Sequence, residues 1–173
     1  MTVTLGELNS MTRDEAAELL RSCCGATSWV NAMLDRRPYE SVTRLLDDAD
    51  VAWATTTVDD WHEAFSHHPR IGEKATNGKQ TGLAGGWSEA EQKKIRVASS
   101  SAHDQMSLVN IAYEQKFGHI YIVNARGKSA NDLLDIARSR LKNNPEKELR
   151  IAAGEVREIT RLRLEKLLGI VPE

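Results

Sequence analysis

A chain of 173 residues with a formal net charge of −2, 40% hydrophobic and 28% charged, has the composition of a water-soluble domain large enough to bury a core. The near balance of charge excludes the basic footprint of a nucleic-acid binder, and no apolar run approaches the roughly 20 residues that would cross a bilayer. The only cysteines, Cys23 and Cys24, are adjacent, which excludes a disulfide framework and a cysteine-rich zinc site. Met1–Thr4 shows no secretory pattern and Ile170–Glu173 no peroxisomal address, so a cytoplasmic protein with no membrane partner is expected.

In chain order, Thr12-Arg13-Asp14-Glu15 forms a capping box ahead of Ala16, Leu19 and Leu20, with Gly25 just past the end of that helix. Ser28 is placed to cap a short helix through Trp29, Val30, Met33 and Leu34, closed by Pro38. Ser41 opens another with Val42, Leu45, Leu46 and Ala49, and Thr57 to Asp60 opens the segment carrying Trp61, Ala64 and Phe65. That helix must stop before Phe65-Ser66-His67-His68-Pro69-Arg70-Ile71-Gly72, because proline pushes the residue ahead of it, His68, out of the helical region. An imidazole fixed at such a boundary projects with a defined orientation and exchanges protons near neutral pH.

A loop from about Pro69 to Trp87 follows, with glycines at 72, 78, 82, 85 and 86, and loops of this length in compact domains usually serve function. A long helix over Glu89 to Lys116 comes next. His119-Ile120-Tyr121-Ile122-Val123 is β-like, but a lone strand has no partner, so an extended buried connector is expected. Ser129 caps a helix through Leu133, Leu134, Ile136 and Ala137. Asn144-Pro145 starts the last helix, which Gly169 ends. The expected fold is all-α, a single-domain bundle over residues 1–173 of about seven or eight helices with one long glycine-bearing loop.

Periodicity places polar residues where a core belongs. On the last helix, Leu149, Ala152, Val156, Ile159 and Leu167 form an apolar stripe with Arg163 in its middle, while Arg157 and Arg161 face solvent. An inward guanidinium keeps its charge and needs a carboxylate or another anion, as a structural ion pair or as part of a site. On the long helix, Ile95, Ala98, Ala102, Met106, Val109 and Tyr113 form the stripe, with Glu91 one turn ahead of Ile95. Ser88 and Glu91 fit a capping box, a structural role compatible with an anion-favouring helix end. Gln92 adds an amide that both donates and accepts.

An imidazole, a carboxylate, an inward guanidinium and an amide near helix ends suit a small polar anion. No phosphate-binding glycine motif appears. His62-Glu63-Ala64-Phe65-Ser66-His67 has one residue too many for a zinc motif: five positions apart on a helix diverge by about 140°, so no metal is expected.

His68-Pro69-Arg70-Ile71-Gly72, Ser88-x-x-Glu91-Gln92, Phe117-Gly118 and Leu162-Arg163-Leu164, preceded by Cys24-Gly25 and Ser28-Trp29-Val30, resemble in order and spacing the 2-oxo-4-hydroxy-4-carboxy-5-ureidoimidazoline (OHCU) decarboxylases. The resemblance spans nearly the whole chain and implies a cofactor-free all-α homodimer. It also implies the third step in urate oxidation to allantoin, coupled to urate oxidase and hydroxyisourate hydrolase. It assigns catalysis to His68, Glu91 and Arg163 and substrate contact to Ser88, Gln92 and Pro69, with backbone groups at Ile120 and Ile122 lining the pocket. His67 lies outside the shared pattern. The implied substrate is a small anionic ureidoimidazoline whose own imine accepts the electrons released with carbon dioxide, so no thiamine or pyridoxal group is called for. Two alternatives stand beside this reading. One is a non-catalytic helical interaction module, in which Arg163 and Glu91 form a buried pair. The other is a ureide hydrolase using the same groups to activate water.

Overall fold

The structure is a computed structural model that describes residues 2–72 and 100–171, the side chains of 100–102 aside. Eight α-helices occur among these residues, and no strand: α1 (Leu5–Ser10), α2 (Arg13–Cys23), α3 (Thr27–Leu34), α4 (Val42–Ala54), α5 (Val58–Ser66), α6 (Ser100–Phe117), α7 (Ala130–Arg140) and α8 (Pro145–Leu167). The all-α class is as expected. The expected glycine loop past Gly72 and the start of the long helix lie outside the described residues. No helix among the described residues is long and apolar enough to cross a membrane.

Most helix starts are set locally. Thr12 and Glu15 close a reciprocal capping box on α2, Thr57 and Asp60 on α5, and Ser129 and Asp132 on α7. The Ser41 hydroxyl accepts from Arg44 N (3.1 Å), and the Asn144 side chain from Lys147 N (2.9 Å). Helix α1 escaped the periodicity reading because one and a half turns carry no repeat, although Thr4 and Glu7 form the same box. The expected Ser28 cap is a correction. Helix α3 starts two residues earlier, after Ala26, with no side-chain cap of its own. The Glu63 carboxylate does the work from α5, accepting from Thr27 N (2.9 Å) and Thr27 Oγ1 (2.6 Å).

The chain divides into two compact units, Met1–His67 with Arg157–Glu173, and His68–Val156. In the first, α3 packs against α2, α4 and α5. Leu8, Leu20, Trp29, Met33, Leu45, Leu164 and Leu167 are fully buried there, and Trp29 Nε1 donates to the Ala49 carbonyl (3.1 Å). Val3 N donates to the Leu167 carbonyl (2.8 Å), tying the N-terminal segment to the end of α8.

In the second unit, α6 packs on α7 around Ile71, Met106, Tyr113, Tyr121, Val123, Leu133, Leu134 and Ala137. Helix α6 ends at Gly118, whose φ of +73° is open to glycine and strained for other residues. Residues 119–123 form a connector outside helix and strand, with His119, Tyr121, Ile122 and Val123 buried, as a buried connector was expected.

The chain has three tyrosines, Tyr39, Tyr113 and Tyr121, all buried. Burial raises each phenol above its ordinary value of 10.0, since the folded state favours the neutral form. The stability this lends is full below the ordinary phenol value and is lost as pH rises beyond it. In an alkaline titration, phenolate absorbance is expected to rise only within the cooperative unfolding transition. A component ionising near the free-phenol value while helical circular dichroism persists is the contrary result.

Candidate active site

Helix α5 closes with the His67 N–H donating to the Ala64 carbonyl (3.1 Å), and Pro69 then turns the chain out of the helix at His68. His68 and Pro69 are half-buried. The residues after them are anchored along α6. Arg70 Nε and Nη2 fork over the Glu114 carboxylate (2.5 and 2.8 Å), Asn110 Nδ2 donates to the Ile71 carbonyl (2.9 Å), and His103 Nε2 lies 2.9 Å from the Gly72 carbonyl. Gly72 itself has φ +88°. Within the motif Arg70 serves as an anchor on Glu114.

Ile120 is half-buried and Ile122 buried in the connector, beside which the described residues place no strand. Side chains supply the partners instead. Arg140 Nη1 donates to the Ile122 carbonyl (2.8 Å), and the Glu155 carboxylate accepts from Asn124 N (2.7 Å). Arg140 is buried, its guanidinium 5.0 Å from the Tyr121 ring centre, and its Nε donates to Glu148 Oε1 (2.6 Å). Glu148 is fully buried and also accepts from Asn143 Nδ2 (2.7 Å) and from the Tyr113 hydroxyl.

This network was missed by the sequence reading, yet a signal existed. Glu148 lies four residues before Ala152 on the inward stripe of α8, and Arg140 three after Ala137 on α7.

In the first unit, Arg163 is 3% exposed, between Leu162 and Leu164 on α8, so its inward placement is as periodicity predicts. Arg157 Nε and Arg161 Nη1 both reach Asp50 (2.7 and 3.3 Å), so these two arginines, expected to face solvent, share a carboxylate at the surface. Beside Arg163 stand the thiols of Cys23 and Cys24. Burial pushes them up to about 12 and about 11, against the pull of the Arg163 charge, so both stay protonated and unreactive at neutral pH.

Glu91, Ser88 and Gln92 lie outside the described residues. Among the described residues no three His, Cys, Asp or Glu side chains converge as a metal site would require.

Residues 9–165 match the family OHCU decarboxylase. The chain belongs to the OHCU decarboxylase family. It is 32% identical over 147 residues to the uric acid degradation bifunctional protein TTL of Arabidopsis thaliana, covering 85% of this chain and 45% of that protein. Over 93 residues it is 38% identical to the 2-oxo-4-hydroxy-4-carboxy-5-ureidoimidazoline decarboxylase of Mus musculus, 52% of each. A crystal structure of an OHCU decarboxylase in the presence of (S)-allantoin matches with a TM-score of 0.75 at 31% identity, covering 88% of this chain and 98% of that one. The chain therefore spans less than half the length of its bifunctional Arabidopsis relative and about half that of the mouse enzyme.

Within this OHCU decarboxylase-family chain, the Arg140–Glu148 pair should carry measurable stability. Glu148→Gln leaves a buried guanidinium facing a neutral partner and is expected to cost about 3–5 kcal/mol in urea unfolding at neutral pH. Arg140→Met with Glu148→Leu is expected to lose clearly less than Glu148→Gln, because no charge is stranded.

Proposed function

We propose that this chain catalyses the cofactor-independent decarboxylation of 2-oxo-4-hydroxy-4-carboxy-5-ureidoimidazoline to (S)-allantoin, the third step of urate degradation. The observation that carries the reading is the ordered motif set, from His68-Pro69 to Leu162-Arg163-Leu164, inside a chain that matches the OHCU decarboxylase family over residues 9–165. The solved relative in the presence of (S)-allantoin supports the choice of product.

The substrate carries a carboxylate and a hydroxyl on one ring carbon, next to an imine carbon. Breaking the bond to carbon dioxide sends its electron pair towards the imine, whose nitrogen takes a proton, and leaves an enol; the hydroxyl then gives up its proton to become a carbonyl as the ureido-bearing carbon is protonated, which gives allantoin. His68 engages the hydroxyl and carboxylate and assists proton movement. Glu91 orients the ureido or ring N–H groups or takes the hydroxyl proton. Arg163 holds carbonyl oxygens and stabilises the negative charge that develops on them. Ser88, Gln92, Pro69 and the backbone at Ile120 and Ile122 fix ring orientation and so select one face for protonation. The substrate also decays unaided, so the enzyme contributes rate and a single enantiomer.

The same reading takes residues 1–173 as one catalytic domain and the protein as a cytoplasmic homodimer acting after urate oxidase and hydroxyisourate hydrolase. Sedimentation or light scattering is expected to give twice the 19.3 kDa chain mass, and a monomer at working concentration removes the dimer.

The decisive assay follows circular dichroism of urate oxidation products made with urate oxidase and hydroxyisourate hydrolase. With the protein present, a rapid signal from one allantoin enantiomer is expected. Racemic product formed at the spontaneous rate overturns the reading. His68→Ala is expected to lower the rate by at least about 10²-fold with the fold kept. Arg163→Lys is expected to lose about 10²-fold, because an ammonium cannot reproduce the planar guanidinium fork.

A further inference from the structure

The turn joining α2 to α3 is clasped by one face of α5. Asp60, Glu63 and His67 stand three and four residues apart, on one side of that helix. Asp60 hydrogen-bonds the Ser28 side chain, and Glu63 takes both Thr27 donors. His67 lies directly on Gly25. A methyl group at position 25 would sit 2.4 Å from His67 Cγ, 2.5 Å from Cβ and 2.6 Å from Cδ2.

Gly25 does not have positive φ, so an alanine there meets no backbone strain; the nearest atoms it would strike are those of the His67 side chain. The residue before Gly25 is Cys24, buried and close enough to Arg163 and Glu63 for its thiol to feel both charges. Residues 24–28 therefore touch the end of α5 through Gly25, Thr27 and Ser28, and the surroundings of Arg163 through Cys24, all inside one compact unit.

From this geometry we infer that His67 and Gly25 are positioning residues. The flat ring of His67, seated on the bare backbone of Gly25, fixes the last turn of α5 and with it the point and direction in which His68 leaves the helix. His67 serves through its shape and not through its proton. This rests on the reading of His68 as the catalytic histidine. It gives a use to a histidine outside the family's shared motif and a reason for a glycine whose backbone angles do not demand one.

The test is steady-state decarboxylation of freshly generated substrate, with melting curves for every variant. Ordinary contact begins near 3.4 Å, so Gly25→Ala forces roughly 1 Å of displacement, a misplacement that lowers kcat by about 10²-fold while KM changes little. His67→Phe keeps a flat ring on Gly25 and no titratable group; it is expected to retain kcat within about threefold and the wild-type pH profile.

Removing the ring sets a second condition. His67→Ala on the native Gly25 leaves nothing seated on that backbone and is expected to lower kcat by about 10-fold or more while KM changes little. Wild-type kcat in a folded Gly25→Ala, wild-type kcat in His67→Ala, or a pH profile displaced in His67→Phe each overturns the inference, and the last two are open even if Gly25→Ala does not fold. An active wild-type protein with any of those results overturns the positioning role alone. A wild-type protein no faster than spontaneous decay overturns the decarboxylase reading as well.

Discussion

A guanidinium keeps its charge at every accessible pH, so burying one obliges the surrounding fold to accept a fixed cation. The second unit is organised around this obligation. Arg140 meets it with the Glu148 carboxylate, the faces of two tyrosine rings and the Ile122 carbonyl, and Glu148 in turn gathers Tyr113 and Asn143. One ion pair thereby ties α6, α7, the start of α8 and the extended connector together. The described residues place no strand beside the connector, and Arg140 and Glu155 take up part of its backbone hydrogen bonding, at the Ile122 carbonyl and the Asn124 N–H.

The first unit meets a different constraint, the unsatisfied N–H groups at helix starts. Helices α1, α2 and α5 solve it within four residues of sequence. Helix α3 does not, and borrows Glu63 from α5. That loan converts a capping requirement into a tertiary contact, since α3 is completed only when α5 is in place. The same face of α5 ends in His67, and the next residue is His68, the proposed catalytic histidine.

The proposed decarboxylation, with its electron sink inside the substrate, asks little covalent chemistry of the protein and much positioning. The described residues are consistent with that division. Arg70, Ile71 and Gly72 are spent on holding the segment after His68 against α6, and Cys23 and Cys24 are kept inert by burial. Neighbours of the proposed catalytic groups thus act as supports, leaving few side chains with chemistry to perform.

The sequence by itself determined what local rules govern. It determined the all-α class, the helix starts at Thr12, Ser41, Thr57, Ser129 and Asn144, the break at Pro69, and the inward face of Arg163. Each depends on residues within a turn or two, or on the repeat of one helix. The ordered motifs carried the family with no structure at all. Tertiary structure alone decided the partners. Glu63 rather than Ser28 caps α3 from 36 residues away, Glu148 joins Tyr113 across 35, Arg70 finds Glu114 across 44, and His67 rests on Gly25. A cap or a periodic face is fixed by backbone geometry that every helix shares. Which distant carboxylate a cation meets depends on how helices pack, and that is written in no local pattern.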